Sequence, residues 1–145
     1  MDNPENVVNE FSCYRDESVP VYGIESTLMN DSATVKNVGY GTSVWVSDSG
    51  KILEVESLYP SRVFKEKSAF LIEKSEVPIF TFPVDRVNDY SIDIFDSESV
   101  FLIKWGDGKF YNYESNGIVI VNDNVVMGIG VVPLSRSYRS HARVV

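Results

Sequence analysis

The chain has a single cysteine and a single histidine among 145 residues. One thiol, Cys13, allows no internal disulfide and none of the multi-cysteine frameworks that hold zinc or iron–sulfur clusters. One imidazole, His141, stands near the end of the sequence, where chains are seldom held rigidly. A general base must be kept within hydrogen-bond reach of its nucleophile. A Cys13–His141 dyad would need the two ends of the chain to meet, so a quiet thiol and a solvated imidazole is the preferred reading. A phosphate loop is also missing: Gly39-Tyr40-Gly41 and Gly106-Asp107-Gly108 lack the lysine and the full glycine spacing. Carboxylate chemistry of the glycosidase kind needs neither Cys nor His, but 21 acids offer too many pairs for the sequence to choose one. The expectation is a non-enzymatic protein with no cofactor and no metal.

Long apolar runs are absent too, so nothing is expected to span a membrane. Met1-Asp2-Asn3-Pro4-Glu5 is acidic and polar where a secretory signal begins basic and runs apolar. With the lone thiol, this points to the cytoplasm. Basic residues are scarce, 13 against 21 acids, for a net charge of −8. A nucleic-acid backbone calls for a surplus of Lys and Arg, so free nucleic acid is not expected as a direct ligand.

What is present reads as one β-rich domain over residues 1–133 with a basic tail at 134–145. The hydrophobic share of 43% is ordinary for a folded domain of this length. Asn3-Pro4-Glu5 signals a helix start, and Val7, Val8 and Phe11 share a helical face, which predicts a short helix from Pro4 to Phe11. From Val19 onward the pattern is period-two alternation with frequent turns. Runs fall at Val19 to Ile24, Ala33 to Val38, Thr42 to Ser47 and Lys51 to Leu58. A bend or bulge is expected at Gly39-Tyr40-Gly41 and a hairpin turn at Asp48-Ser49-Gly50. In the run after that turn, Leu53 and Val55 share a face with Lys51, and Glu54 and Glu56 point the other way. Residues 61–76 read either as a helix capped by Ser61 or as a strand at Ala69 to Glu73, and the strand is preferred. Val77 to Pro83 alternates, but its two prolines confine it to an edge or an extended connection. Tyr90 to Ile94, Val100 to Trp105, Lys109 to Tyr113, Ile118 to Val121 and Val125 to Val132 complete the set. Asn116-Gly117 is the strongest short hairpin signal. Gly128 and Gly130 leave one face of the last strand bare, through a bulge or a close neighbour. Short turns at this spacing predict an antiparallel meander, folded as a β-sandwich or a partly closed barrel.

Three features bear on function. Asp85, Asp89, Asp93, Asp96 and Glu98 form an acidic run containing one base, Arg86. Such a run is either a solvated strand face or a docking surface for a basic protein. Its spacing does not match the alternating-oxygen loop that holds calcium. Tyr111 and Tyr113 share one strand face with Lys109, and tyrosine pairs of this kind suit an interface or a sugar platform as well as a barrel end. Finally, residues 1–133 carry 10 bases and 21 acids, while the tail carries Arg136, Arg139 and Arg143 and no acid. That tail reads as self-docking or disordered. The expected function is an acidic protein-binding module, an inhibitor or immunity protein that neutralises a basic partner such as a nuclease toxin. Asp89, Asp93, Asp96 and Glu98 are its expected contacts, with Tyr111 and Tyr113 as anchors. A small-molecule or carbohydrate-binding barrel, with room beside Gly128 and Gly130, and a structural assembly subunit are the alternatives.

Overall fold

The computed structural model describes residues 9–16, 18–28, 32–39, 41–65, 70–82 and 91–132. Twelve strands form there, some alternating apolar and polar residues and others, such as Phe101–Lys104 and Gly117–Asn122, almost wholly buried, with no helix among the described residues. They are β1 (Phe11–Asp16), β2 (Val21–Ser26), β3 (Ala33–Gly39), β4 (Thr42–Ser47), β5 (Ile52–Leu58), β6 (Arg62–Phe64), β7 (Ile72–Glu73), β8 (Asp93–Asp96), β9 (Phe101–Lys104), β10 (Lys109–Tyr113), β11 (Gly117–Asn122) and β12 (Val125–Val131). They form a five-stranded sheet in the order β1-β2-β5-β4-β3 and a seven-stranded sheet in the order β6-β8-β9-β12-β11-β10-β7.

The inner faces of the two sheets share one core. Ile24, Val44, Val46, Ile52 and Val55 come from the first sheet, and Ile94, Phe101, Ile103, Val119, Val121, Ile129 and Val131 from the second. Burial of these β-branched and aromatic side chains is the main stabilising term. A register shift between Trp45 and Val46 against β5 breaks the strict alternation there. Ile52 and Val55, three residues apart, therefore both reach the core, and Glu54 and Glu56 remain outside.

The other face of the seven-stranded sheet carries a second cluster of Val100, Leu102 and Ile118, joined by Phe70, Ile72, Phe95 and Phe110. Phe95 and Phe110 lie four strands apart, about 19 Å on a flat sheet. Both meet the Phe70 ring, at centroid distances of 5.9 and 4.8 Å, so the sheet curls around Phe70. Gly128 and Gly130 on central β12 permit the curl. A Cβ at Gly130 would stand 2.0 Å from Leu102 Cδ2 and 2.9 Å from the Phe101 carbonyl, and one at Gly128 would stand 2.8 Å from Ile120 Cδ1. The bare face is thus filled by neighbouring side chains. Gly130→Ala is expected to lower the unfolding free energy by about 1–3 kcal/mol. Denaturant titration checks this, and an unchanged midpoint would mean that the sheet relaxes freely at this point.

Several sequence expectations need correction. The sheets form a sandwich-like pair, and neither closes into a barrel. The pairing is mixed: β6 runs parallel to β8 and β7 parallel to β10. Strands β9 and β10 are sequence neighbours, but β12 and β11 lie between them. The expected helix at Pro4 to Phe11 is not supported. Phe11 begins β1 opposite Ser26, because Phe11 and Cys13 alternate into the core, and residues 4–8 lie outside the described residues. The hairpin expected at Asn116-Gly117 does join β10 to β11, but through the three-residue turn Glu114-Ser115-Asn116, with the left-handed residue at Glu114 (φ 59°) and Gly117 already paired with Tyr113. Gly117 is needed for close approach, since a Cβ there would meet the Tyr113 carbonyl at 2.7 Å and the Phe11 ring at 2.9 Å. Asn116 is buried and stitches the two sheets. Its Oδ1 accepts the Phe11 N–H (2.9 Å), and its Nδ2 donates to the carbonyls of Phe11 (2.9 Å) and Val132 (3.2 Å). The two-residue turn that the sequence does place is Asp123-Asn124, with φ of 51° and 63°, between the paired Asn122 and Val125. That is the geometry of a primed hairpin turn. The strand expected at Ala69 to Glu73 is reduced to β7, and Ala69, Tyr90 and the tail at 134–145 lie outside the described residues.

Candidate protein-binding face

The structure scatters the contact residues read from the sequence. Asp89 lies outside the described residues. Asp93, on β8, accepts from Arg62 Nε (3.1 Å) and from a second guanidinium nitrogen (2.9 Å). Asp96, at the end of the same strand, is only 4% exposed. It takes Arg15 Nε at 2.8 Å and Lys65 Nζ at 3.4 Å, so its charge is engaged inside the fold. Glu98 is exposed on the following turn, where Lys65, Ser97, Glu98 and Ser99 line a surface hollow of ≈ 540 Å³. Tyr111 is half-buried against the main core. Tyr113 is buried, and its hydroxyl accepts the Ile52 N–H at 3.1 Å. Asp96 and Tyr113 are therefore placed as structural ties between the sheets, away from solvent.

A different acidic group stands on the outer face of the five-stranded sheet. Register sets two rows across all five strands. One runs Val35, Trp45, Glu54, Glu25, Ser12, and the next runs Asn37, Ser43, Glu56, Gly23, Tyr14. Glu25 thus sits directly opposite Glu54, with Glu56 two residues further along β5. The Tyr14 ring lies over Gly23, where a Cβ would meet its Cζ at 2.0 Å. From that position its hydroxyl donates to Glu54 Oε2 at 2.7 Å and reaches Glu56 Oε2 at 3.2 Å. Among the described residues, no lysine or arginine forms an ion pair with these three carboxylates. All three glutamates, Tyr14 and Trp45 are half-exposed. The sequence signal for half of this face was the outward alternation of Glu54 and Glu56. Glu25 joins them only because β2 pairs with β5, a neighbour that sequence order does not supply.

Like charges directly opposite on a sheet destabilise it. Burial raises the Glu54 pKa first, and the nearby Glu56 and Glu25 charges raise it further, against the hydrogen bond from Tyr14. Burial and the bonds to both glutamates push the Tyr14 hydroxyl up as well, so it stays a donor. A carboxyl whose folded pKa exceeds its unfolded value holds its proton more tightly when folded. Glu54 therefore weakens the fold at neutral pH. The penalty shrinks as pH falls through the raised folded value and is gone below the ordinary value of 4.5. The stability gained on replacing Glu54 by Gln should accordingly be largest at neutral pH and fade by about pH 4. A gain that is constant across this range would remove Glu54 titration as its source.

Among the described residues the remaining chemistry-bearing groups are quiet. Cys13 is buried, and burial raises its thiol pKa to about 12, so no thiolate forms near neutrality. Among the described residues no cluster of three or more His, Cys, Asp or Glu is placed to hold a metal ion. No helix there is long and apolar enough to cross a membrane. The space beside Gly128 and Gly130 that a ligand-holding barrel would use is occupied by Leu102 and Ile120. Comparison with protein-family models, with curated proteins and with solved structures finds no match.

Proposed function

We propose that the protein is a non-enzymatic binding module whose acidic surface neutralises a basic protein partner, acting as an inhibitor or immunity protein against an enzyme with a basic cleft such as a nuclease. One observation carries this reading: Glu25, Glu54 and Glu56 crowd one sheet face, with Glu25 and Glu54 directly opposite each other. A fold tolerates such repulsion where a cationic partner relieves it. Trp45 and Tyr14 beside the carboxylates supply aromatic area of the kind that anchors interfaces. Glu98 adds an exposed carboxylate elsewhere on the surface. The net charge of −8 favours fast, steered association with a basic partner. A buried, unbridged Cys13 suits a reducing compartment, and we place the protein in the cytoplasm.

The test is affinity capture from the native host with the wild-type chain and with a variant carrying Gln at positions 25, 54 and 56. A basic protein should be retained by the wild type at low salt, released at high salt and lost from the variant. Adding the wild-type chain should suppress the captured protein's own activity, on nucleic acid if it is a nuclease. Equal capture by both chains would remove this face from the interaction, and a captured protein whose activity is unaffected would end the inhibitor reading.

A further inference from the structure

An exposed strand edge gives the acidic face a specific mode of engagement. The two sheets end in four edge strands, β1, β3, β6 and β7. Edge strands offer unpaired N–H and C=O groups and are usually shortened, covered or charged. Two of the four are short, and a third is covered at its start. Strands β6 and β7 have three and two residues, and the Phe11 N–H and C=O at the start of β1 are both taken by Asn116. Strand β3 is different. It has seven residues, the first five exposed on both faces, with Val35 51% exposed. Every second residue of such a strand turns its N–H and C=O away from β4, and among the described residues nothing pairs with them.

We infer that β3 receives an extended segment of the basic partner as a sixth strand of the five-stranded sheet. This rests on the proposed acidic-face function and specifies how the partner binds. The chemistry of the segment follows from register. Its side chains on the outer face would neighbour Val35 and Asn37, in the rows that continue through Trp45 and Ser43 to Glu54 and Glu56. An arginine there can lay its stem across Val35 and bring its charge over Trp45, which suits cation–π attraction, and the Glu54 and Glu56 charges beyond Trp45 and Ser43 add longer-range attraction. On the opposite face the neighbour is Lys36, paired with the inward-facing Val44, so alternate positions should be uncharged or acidic. The segment is therefore an extended one with basic residues at every second position. A second copy of the chain fits less well, since each copy carries a net charge of −8 and Lys36 on the edge opposes self-pairing.

The probe is a capped synthetic peptide of about eight residues alternating arginine and threonine. Its control is a peptide of the same length in which proline replaces threonine, which keeps the charge but removes every second N–H and breaks a regular ladder. Binding is followed by Trp45 emission, because Trp105 is only 3% exposed, and by amide exchange. The expected result is that the threonine peptide binds and slows exchange of the outward amides within residues 33–37 by about tenfold or more, while the proline control does neither. Glu54→Gln should weaken binding about threefold at low salt and leave that protection pattern in place once the peptide is saturating. If both peptides bind equally and β3 amides exchange as before, strand addition is overturned, while recognition of a basic partner by the acidic face stands. If neither peptide binds, strand addition is overturned, and the capture experiment above decides the acidic-face reading independently. Protection of β3 in the free protein that grows with concentration, alongside a dimer in sedimentation, would assign the edge to a second copy and overturn the inference.

Discussion

Replacing Asn116 by aspartate is expected to lower the unfolding free energy by about 3 kcal/mol, one of the two largest effects expected of a single substitution in this protein. Asn116 bonds the backbone of two sheets at once. Its Oδ1 takes the Phe11 N–H, its Nδ2 serves the Phe11 and Val132 carbonyls, and its own carbonyl accepts the Val132 N–H at 2.8 Å. Aspartate keeps the acceptor but turns an oxygen toward two carbonyl oxygens that have lost their donor. Each buried group left unpaired costs about 1–3 kcal/mol. The variant should also carry a pH signature. Protonation of the introduced carboxylate restores one donor, so its folded pKa would rise above the unfolded value, and stability should recover as pH falls through that raised value. Denaturant unfolding at neutral and acidic pH checks both parts. A loss below about 1 kcal/mol with no recovery in acid would mean that Asn116 is not the tie between the sheets.

Asp96→Asn is expected to cost about 3 kcal/mol for a different reason. Arg15 on β1 and Asp96 on β8 join opposite sheets through two contacts, 2.8 and 3.0 Å, with side-chain exposures of 15% and 2%. Removing one partner of a buried pair leaves the other charge desolvated and uncompensated, whereas removing both with apolar residues of similar volume is often neutral. Arg15→Met combined with Asp96→Leu should therefore recover much of the loss, giving a coupling energy of about 2 kcal/mol in a double-mutant cycle. Additive losses in the cycle would show that Arg15 and Asp96 act independently. Charge reversal at Asp93 should cost far less, because its Arg62 partner is largely solvated, with 64% side-chain exposure.

The same two residues show what a sequence does and does not disclose. Alternation was enough to place β4 at Thr42–Ser47, where Val44 and Val46 meet the core and Ser43 and Trp45 lean outward, while the nearly continuous apolar run after Val100 marked β9, which has a core on both faces. The acidic run at 85–98 was equally visible, but its meaning depended on Arg15 and Arg62, which lie 81 and 31 residues away from their partners. A charge run read without those partners looks free when two of its members are neutralised. The N-terminal strand was hidden because Val7, Val8 and Phe11 satisfy a helical period, while the Phe11 and Cys13 alternation covers only two core positions. The parallel pairings of β6 and β7 were invisible, since three- and two-residue strands have no periodicity. Asn116-Gly117 carries the residue types of a tight turn, but the space they serve is set by Phe11, which lies 105 residues away. Half of the candidate face was legible in Glu54 and Glu56. Its like-charge contact with Glu25 required the non-consecutive pairing of β2 with β5.

The most direct measurement is equilibrium unfolding of the variant with Gln at positions 25, 54 and 56, compared with the wild type at low and high salt. Gln keeps an acceptor for the Tyr14 hydroxyl and removes the repulsion. If this face is a binding surface maintained at the expense of the free protein, the variant should be more stable by about 1 kcal/mol at low salt, and the difference should shrink as salt screens the charges. A variant that is less stable than the wild type, at either salt, would contradict this, since the three carboxylates would then be part of what holds the sheet together.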